Sequence, residues 1–248
     1  MATLLELARM SGVAYKTVNP KDPEDAKNIK KWEDDLKAAK WSCTNFKYAS
    51  GSWNGFQACI FSKGGKKVGA FRGTAQGMDG VADLKLGTGM NSTYFDDGET
   101  FSELTNGASD VLLTGHSLGG AIAQVVANRT GSTMATFNAP GVGVIASRNI
   151  LETTASMSAI RLVGMTASIF RHPEQAAKDV WNTFRTVKGI NLCLQFDAVS
   201  QIGNHYGKVK RISGTGINPI KQHGIATMIT VLEKSGNANL AASQPGSF

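Results

Sequence analysis

The chain has 248 residues, 42% of them hydrophobic and 18% charged, with a formal net charge of +7. That length suits one α/β domain with room for a buried site, and that balance excludes a chain that is mainly disordered. No apolar run approaches about 18 residues, so no transmembrane helix is expected, and 28 Gly against 6 Pro excludes a proline-rich or collagen-like chain.

The first ten residues lack a basic region and carry Glu6 inside their short apolar stretch. No Sec signal peptide is read there, and synthesis in the cytoplasm is expected. Leu4, Leu5, Leu7, Ala8 and Val13 can share one helical face. Pro23 and Glu24 open a second helix to about residue 40, with Ile29, Trp32 and Leu36 on its buried stripe, so 1–40 reads as N-terminal helices. Residues 42–48, 55–61 and 67–71 read as strands, the last two joined by Lys63-Gly64-Gly65-Lys66. Lys63, Lys66 and Lys67 are the densest basic cluster. They read as a solvated turn, with a weak attraction to anionic lipid as the alternative, and no nucleic-acid partner is expected.

Residues 75–107 are polar, acidic and rich in Gly, with at most short helices. Met78, Val81, Leu84, Leu86, Met90 and Phe95 give this stretch an apolar side, which makes it a candidate lid over a pocket. The run 111–115 is a short apolar strand of the kind covered on both faces. A helix over 119–130 follows, stopped by Gly131, and then a buried strand over 133–137. Further on come a helix over 173–186, strands over 190–196 and 208–212, a closing helix over 225–234 and a polar tail at 237–248. This alternation predicts a single α/β domain, 1–248, with a mostly parallel central sheet flanked by helices. Cys43, Cys59 and Cys193 are too few and scattered for a disulfide framework or a zinc site. Buried free thiols are expected, with one bridge and a free thiol as the alternative. No cofactor or metal is expected.

The strongest chemical signal is Gly115-His116-Ser117-Leu118-Gly119-Gly120. The five-residue pattern alone is weak, but here it follows an apolar strand and opens a helix. Such a tight turn forces strained backbone angles on Ser117 and needs Gly beside it, so that the hydroxyl is pushed out at the carboxyl edge of the sheet. A nucleophilic serine needs a histidine base held by an acid. His116 lies inside the elbow and points away, and His172 precedes Pro173 and reads as surface. His205 and His223 remain. In the order serine, acid, histidine, the carboxylates between Ser117 and His223 are Glu152, Glu174, Asp179 and Asp197. Asp197 alone follows an apolar strand, whereas Asp179 lies in an amphipathic helix. His223 lies in a loop before the last helix and is favoured over His205, which stays the alternative. A G-x-G-x-x-A pattern at 141–146 could suggest a dinucleotide fold, but it stands alone and Pro140 weakens it.

The elbow, Ala70-Phe71-Arg72-Gly73-Thr74 upstream, Thr136-Phe137-Asn138-Ala139-Pro140-Gly141 downstream, and Phe196-Asp197-Ala198-Val199-Ser200 together resemble the class 3 lipase family, the fungal-lipase-like α/β hydrolases. The resemblance runs from about Phe56 to Leu232. It implies an α/β-hydrolase fold with a small lid and a triad of Ser117, Asp197 and His223. It also implies an oxyanion hole formed by the backbone N–H groups of Thr74 and Leu118. The implied activity is a serine lipase or phospholipase that cleaves carboxylic esters of lipids through an acyl-enzyme. The alternatives are a short-chain esterase and a catalytically dead binding module. The chain is also similar to bacterial class 3 lipases delivered through type VI secretion as antibacterial phospholipases. That similarity implies export to act on another cell's membrane, a lipid ester or membrane surface as partner, and an inhibitory immunity protein.

Overall fold

The first helix, α1 (Leu4–Val13), is started by a capping box. Thr3 Oγ accepts from the Glu6 N–H at 3.2 Å, and the Glu6 carboxylate accepts from the Thr3 N–H at 2.8 Å. Helix α2 (Pro23–Ala38) has Asp22 as its cap, with Pro in the first turn, where a missing N–H costs nothing. The computed structural model describes residues 2–16, 22–47, 56–73, 92–107, 110–142 and 187–235.

Strands β1 (Ser42–Lys47), β2 (Ala58–Lys63), β3 (Lys66–Phe71), β4 (Asp110–His116), β5 (Thr133–Phe137), β6 (Gly189–Leu194) and β7 (Lys208–Ile212) form one sheet in sequential order. The first two pairings are antiparallel, and β3 through β7 run parallel. Helices cover both faces, which is why the central strands alternate between two apolar cores. Cys59, Phe61, Leu112, Ala135 and Phe137 face the layer of α1, α2 and α6 (Ile225–Lys234). Ile60, Phe71, Leu113 and Met134 face α3 (Ser92–Ser102) and α4 (Leu118–Thr130). This is the expected mostly parallel α/β sheet flanked by helices.

Because β4 to β7 are parallel, the segments that follow them all emerge at one edge. Ser117, Asn138 and Asp197 follow β4, β5 and β6, and α5 (Pro219–His223) follows β7. The Lys63–Lys66 turn lies at the other edge, where β3 starts beside Asp110. There Lys63 sits 3.8 Å from Glu6 and over the Trp41 ring, and Lys67 donates to the Leu104 carbonyl.

Several expectations are corrected. Residues 92–107 of the candidate lid, expected to hold at most short helices, form the 11-residue α3 and a 3-10 turn, Glu103–Thr105. Phe95 and Phe101 are buried against α4, and a side chain on Gly98 would meet Ile122 and Val126. The acidic residues of α3 face outward, where Asp96 and Glu99 pair with Arg129 at 2.9 and 3.2 Å. The strand expected over 190–196 ends at Leu194, and 195–196 form a turn. His223 closes a short helix rather than lying in a loop. All three cysteines are free, but Cys43 is exposed because β1 is an edge strand. Thr74, residues 75–91, Glu152, the 173–186 helix with Glu174 and Asp179, His172 and the 237–248 tail lie outside the described residues, as does most of the 141–146 pattern.

If α3 belongs to the core, Phe95→Ala should destabilise the protein by about 3 kcal/mol, the usual cost of emptying a buried aromatic site. Urea unfolding of the two proteins measures it, and a change within about 0.5 kcal/mol is what a surface position would give.

Candidate active site

Ser117 has φ 57° and ψ −130°, a region L-residues rarely enter. Its N–H donates to the Phe137 carbonyl of the neighbouring strand at 3.1 Å, which holds the turn. Glycine is required on both sides. A Cβ on Gly115 would run into the Gly119 backbone, and one on Gly119 into the Phe71 carbonyl. The Ser117 side chain makes no cap to its own helix, so its hydroxyl is available to the groups across the edge. Leu118 is the first residue of α4, and among the described residues no carbonyl accepts its N–H.

Ser117, Asp197 and His223 come together. His223 Nε2 is 2.9 Å from Ser117 Oγ, and His223 Nδ1 is 2.9 Å from Asp197 Oδ1. A carboxylate accepts only, so Nδ1 carries the proton and Nε2 is left as the acceptor for the serine hydroxyl. Asp197 is fully buried. It also accepts from the Val199 N–H at 3.2 Å and the Ser200 N–H at 2.9 Å. Burial acts to raise its pKa, but the hydrogen bond and charge of His223 with the Ser200 bonds outweigh it and hold the carboxyl below its ordinary value. His205 is not brought to Ser117: its Nε2 donates to the Ala139 carbonyl at 2.9 Å.

Three further residues hold this arrangement, and sequence reasoning missed their part. His116 does point away from the serine hydroxyl, but its Nε2 donates to the His223 carbonyl at 2.6 Å. Its Nδ1 accepts from the Tyr15 hydroxyl at 2.8 Å, and Tyr15 in turn accepts from the Gly73 backbone. Burial, and then the nearby His223 ring, push the His116 pKa down to about 3, so it is neutral with a fixed tautomer. Asn138, at φ 47°, donates to the carbonyls of Gln222 at 2.7 Å and His223 at 3.1 Å, and accepts the Leu194 N–H at 2.9 Å. Asn138 lies in the 136–141 motif quoted above, whereas nothing in the sequence marks Tyr15. Among the described residues no group of three or more His, Cys, Asp or Glu is placed to hold a metal ion.

A serine on a strand–turn–helix elbow, at the carboxyl edge of a mostly parallel sheet and bonded to a histidine, defines the α/β-hydrolase class. Within that class the chain belongs to the phospholipase-like family described as the Tle-like phospholipase domain, whose sequence model matches residues 6–212. That span holds Ser117 and Asp197 and stops before His223. An extracellular phospholipase A1 of Serratia liquefaciens is 34% identical over 91 residues, which is 36% of this chain and 28% of that protein. The chain thus spans less than a third of that relative's length. A lipase–propeptide complex of Rhizomucor miehei aligns over 84% of this chain and 65% of its own, at 13% identity and a TM-score of 0.44. Lipase II of Rhizopus niveus aligns over 78% and 71%, at 15% identity and 0.41. The fold assignment rests on the strand order and the elbow rather than on these two likenesses.

A buried histidine whose folded pKa lies below its unfolded value of about 6.5 contributes stability that is present above that value. The contribution is lost as pH falls toward the folded pKa. Asp197 acts in the same direction at lower pH. Urea stability should therefore decline from pH 7 to pH 4, and His116→Gln should flatten that decline by up to about 1.4 kcal/mol per pH unit. Equal slopes in the two proteins would mean that His116 is not buried neutral.

Proposed function

We propose that this protein is a serine phospholipase that cleaves a carboxylic ester of a phospholipid through an acyl-enzyme. The observation that carries the reading is the unbroken line from Ser117 Oγ through His223 to buried Asp197, in a chain whose family is phospholipase-like. In the proposed mechanism Ser117 Oγ attacks the ester carbonyl while His223 Nε2 takes its proton. The charge on the carbonyl oxygen is met by the Leu118 N–H and, in the family's pattern, that of Thr74, each worth about 3 kcal/mol of barrier. The tetrahedral species collapses, and His223 returns the proton to the leaving lysophospholipid hydroxyl. Water, deprotonated by His223, then attacks the acyl-serine and releases the fatty acid. His116 and Asn138 hold the His223 backbone so that this proton transfer needs little reorganisation.

A lipid-borne ester fits the surroundings. Phe196, Ile217 and Ile220 are 55%, 79% and 55% exposed on the segments that carry Asp197 and His223. Between Asp197 and Glu233 there is no carboxylate, and Lys221 lies beside Ile220 on α5, at the edge where the strands end. An apolar, cationic margin suits a phospholipid surface better than a small soluble ester. The resemblance to secreted lipase effectors, and the extracellular relative, favour export and action on another cell's membrane. An immunity protein that blocks the Ser117 edge is the partner this reading entails.

The test is product analysis from vesicles holding phosphatidylcholine, phosphatidylethanolamine, phosphatidylglycerol and triacylglycerol. Fatty acid and lysophospholipid should appear in equal amounts. Ser117→Ala should lose roughly a million-fold in kcat and Asp197→Asn about 10,000-fold, while His205→Ala should keep most activity. Release of phosphorylated head groups, or hydrolysis confined to triacylglycerol or short soluble esters, would contradict the reading.

A further inference from the structure

We propose that Cys43 and Cys59 are a dithiol–disulfide site, open in a reducing compartment and closed by a disulfide-bearing oxidant outside it. The sheet register brings the pair together. Cys43 is opposite Phe61 and Cys59 is opposite Phe46, with an irregularity between Cys43 and Asn45. The extra residue is what lets Cys43 and Phe46, three positions apart, face the same side as Cys59. The register sets the two cysteines diagonally on one face of this strand pair, and their side chains interact, so bridging takes a small shift of edge strand β1 together with rotation about the Cα–Cβ bonds. Their exposures differ in a useful way. Cys43 is exposed and lines an open groove with Glu33, Lys37, Trp41 and Phe61, where an oxidant can reach it; Cys59 is buried beneath.

The electronic environment agrees with that division. The neighbouring Cys59 thiol, more than any other group, lowers the Cys43 pKa, whereas burial raises that of Cys59. Cys43 is therefore the attacking thiolate. It attacks one sulfur of an oxidant R–S–S–R, forming a Cys43–S–R bond and releasing R–S⁻. Cys59 then loses its proton and attacks the Cys43 sulfur, forming the Cys43–Cys59 bond and releasing the second R–S⁻. Two thiol protons end on two R–SH, and the oxidant takes two electrons. The high pKa of Cys59 makes the second attack the slow one. The closed bridge encloses residues 44–58 and pins edge strand β1 to β2, the pairing in the sheet with least burial on its outer strand. Cys193 takes no part: it is buried on β6, with its thiol pushed up to about 11 by burial.

The full-length protein, purified reduced, is incubated with oxidised glutathione and its thiols are titrated in denaturant. The count should fall from three to one, with a transient glutathione adduct on Cys43. Peptide mapping should join the Cys43 and Cys59 peptides. The thermal midpoint should rise on oxidation and return with dithiothreitol. Cys59→Ser should stop at the stable adduct, Cys43→Ser should neither react nor shift its midpoint, and Cys193→Ser should bridge as the parent does. Three titratable thiols after oxidation, a stable Cys43 adduct in the parent protein, or a bridge only between two chains would each overturn the proposal. None of these readouts depends on lipid hydrolysis, so the proposal stands or falls apart from the catalytic reading.

Discussion

The His223 backbone carbonyl is where the site is tied to the sheet. It accepts from His116 at the end of β4 and from Asn138 just past β5. Asn138 also takes the last N–H of β6. Three neighbouring parallel strands therefore fix the peptide that carries the histidine, whose side chain reaches back to the residues after the first and third of them. A typical hydrogen bond of this kind adds only about 1 kcal/mol net, but a buried donor left without its acceptor costs about 1–3 kcal/mol. The penalty for misplacement, more than the attraction itself, is what specifies the position of His223.

The same constraint operates at Asp197 and Ser117. A carboxylate with no solvent exposure is tolerated only when its lone pairs are occupied, and Asp197 has His223 and two backbone N–H groups. Its charge in turn favours the Nδ1 tautomer of His223 that leaves Nε2 free to accept. At Ser117 the unfavourable backbone angles are held by the Phe137 carbonyl, and the flanking glycines let strand, turn and helix approach without side chains between them. Tyr15 links this system to α1, since its hydroxyl touches both the His116 ring and the Gly73 backbone just ahead of Thr74. The N-terminal helices are thus part of the site's support as well as a cover for one sheet face.

What the sequence made legible was local. The elbow could be read because strand, glycines, serine and helix are consecutive. Asp197 could be read because the apolar run before it stops at the sheet edge. His223 was favoured over His205 for its place ahead of the last helix, where His205 leads into a strand, and the two apolar faces followed from strand patterning. The contacts of His116, Asn138 and Tyr15 join residues about 85 to 110 positions apart and have no local signature. The 92–107 segment was misread for a different reason. Its Gly and acidic content suggested a lid with at most short helices, but Phe95, Gly98 and Phe101 recur at helical spacing on the face that meets α4. Its carboxylates occupy the other face, where Arg129 is their partner. Composition hid a periodicity that packing reveals.

In the proposed mechanism His223, oriented by Asp197, makes Ser117 a nucleophile. Covalent labelling with a fluorophosphonate measures this directly, because the reagent phosphonylates an activated serine and leaves ordinary serines untouched. A single adduct on Ser117 is expected, formed in step with the loss of lipid hydrolysis, and its rate should collapse in both His223→Ala and Asp197→Asn. An adduct on any other serine, or a Ser117 labelling rate unchanged by His223→Ala, would contradict the account.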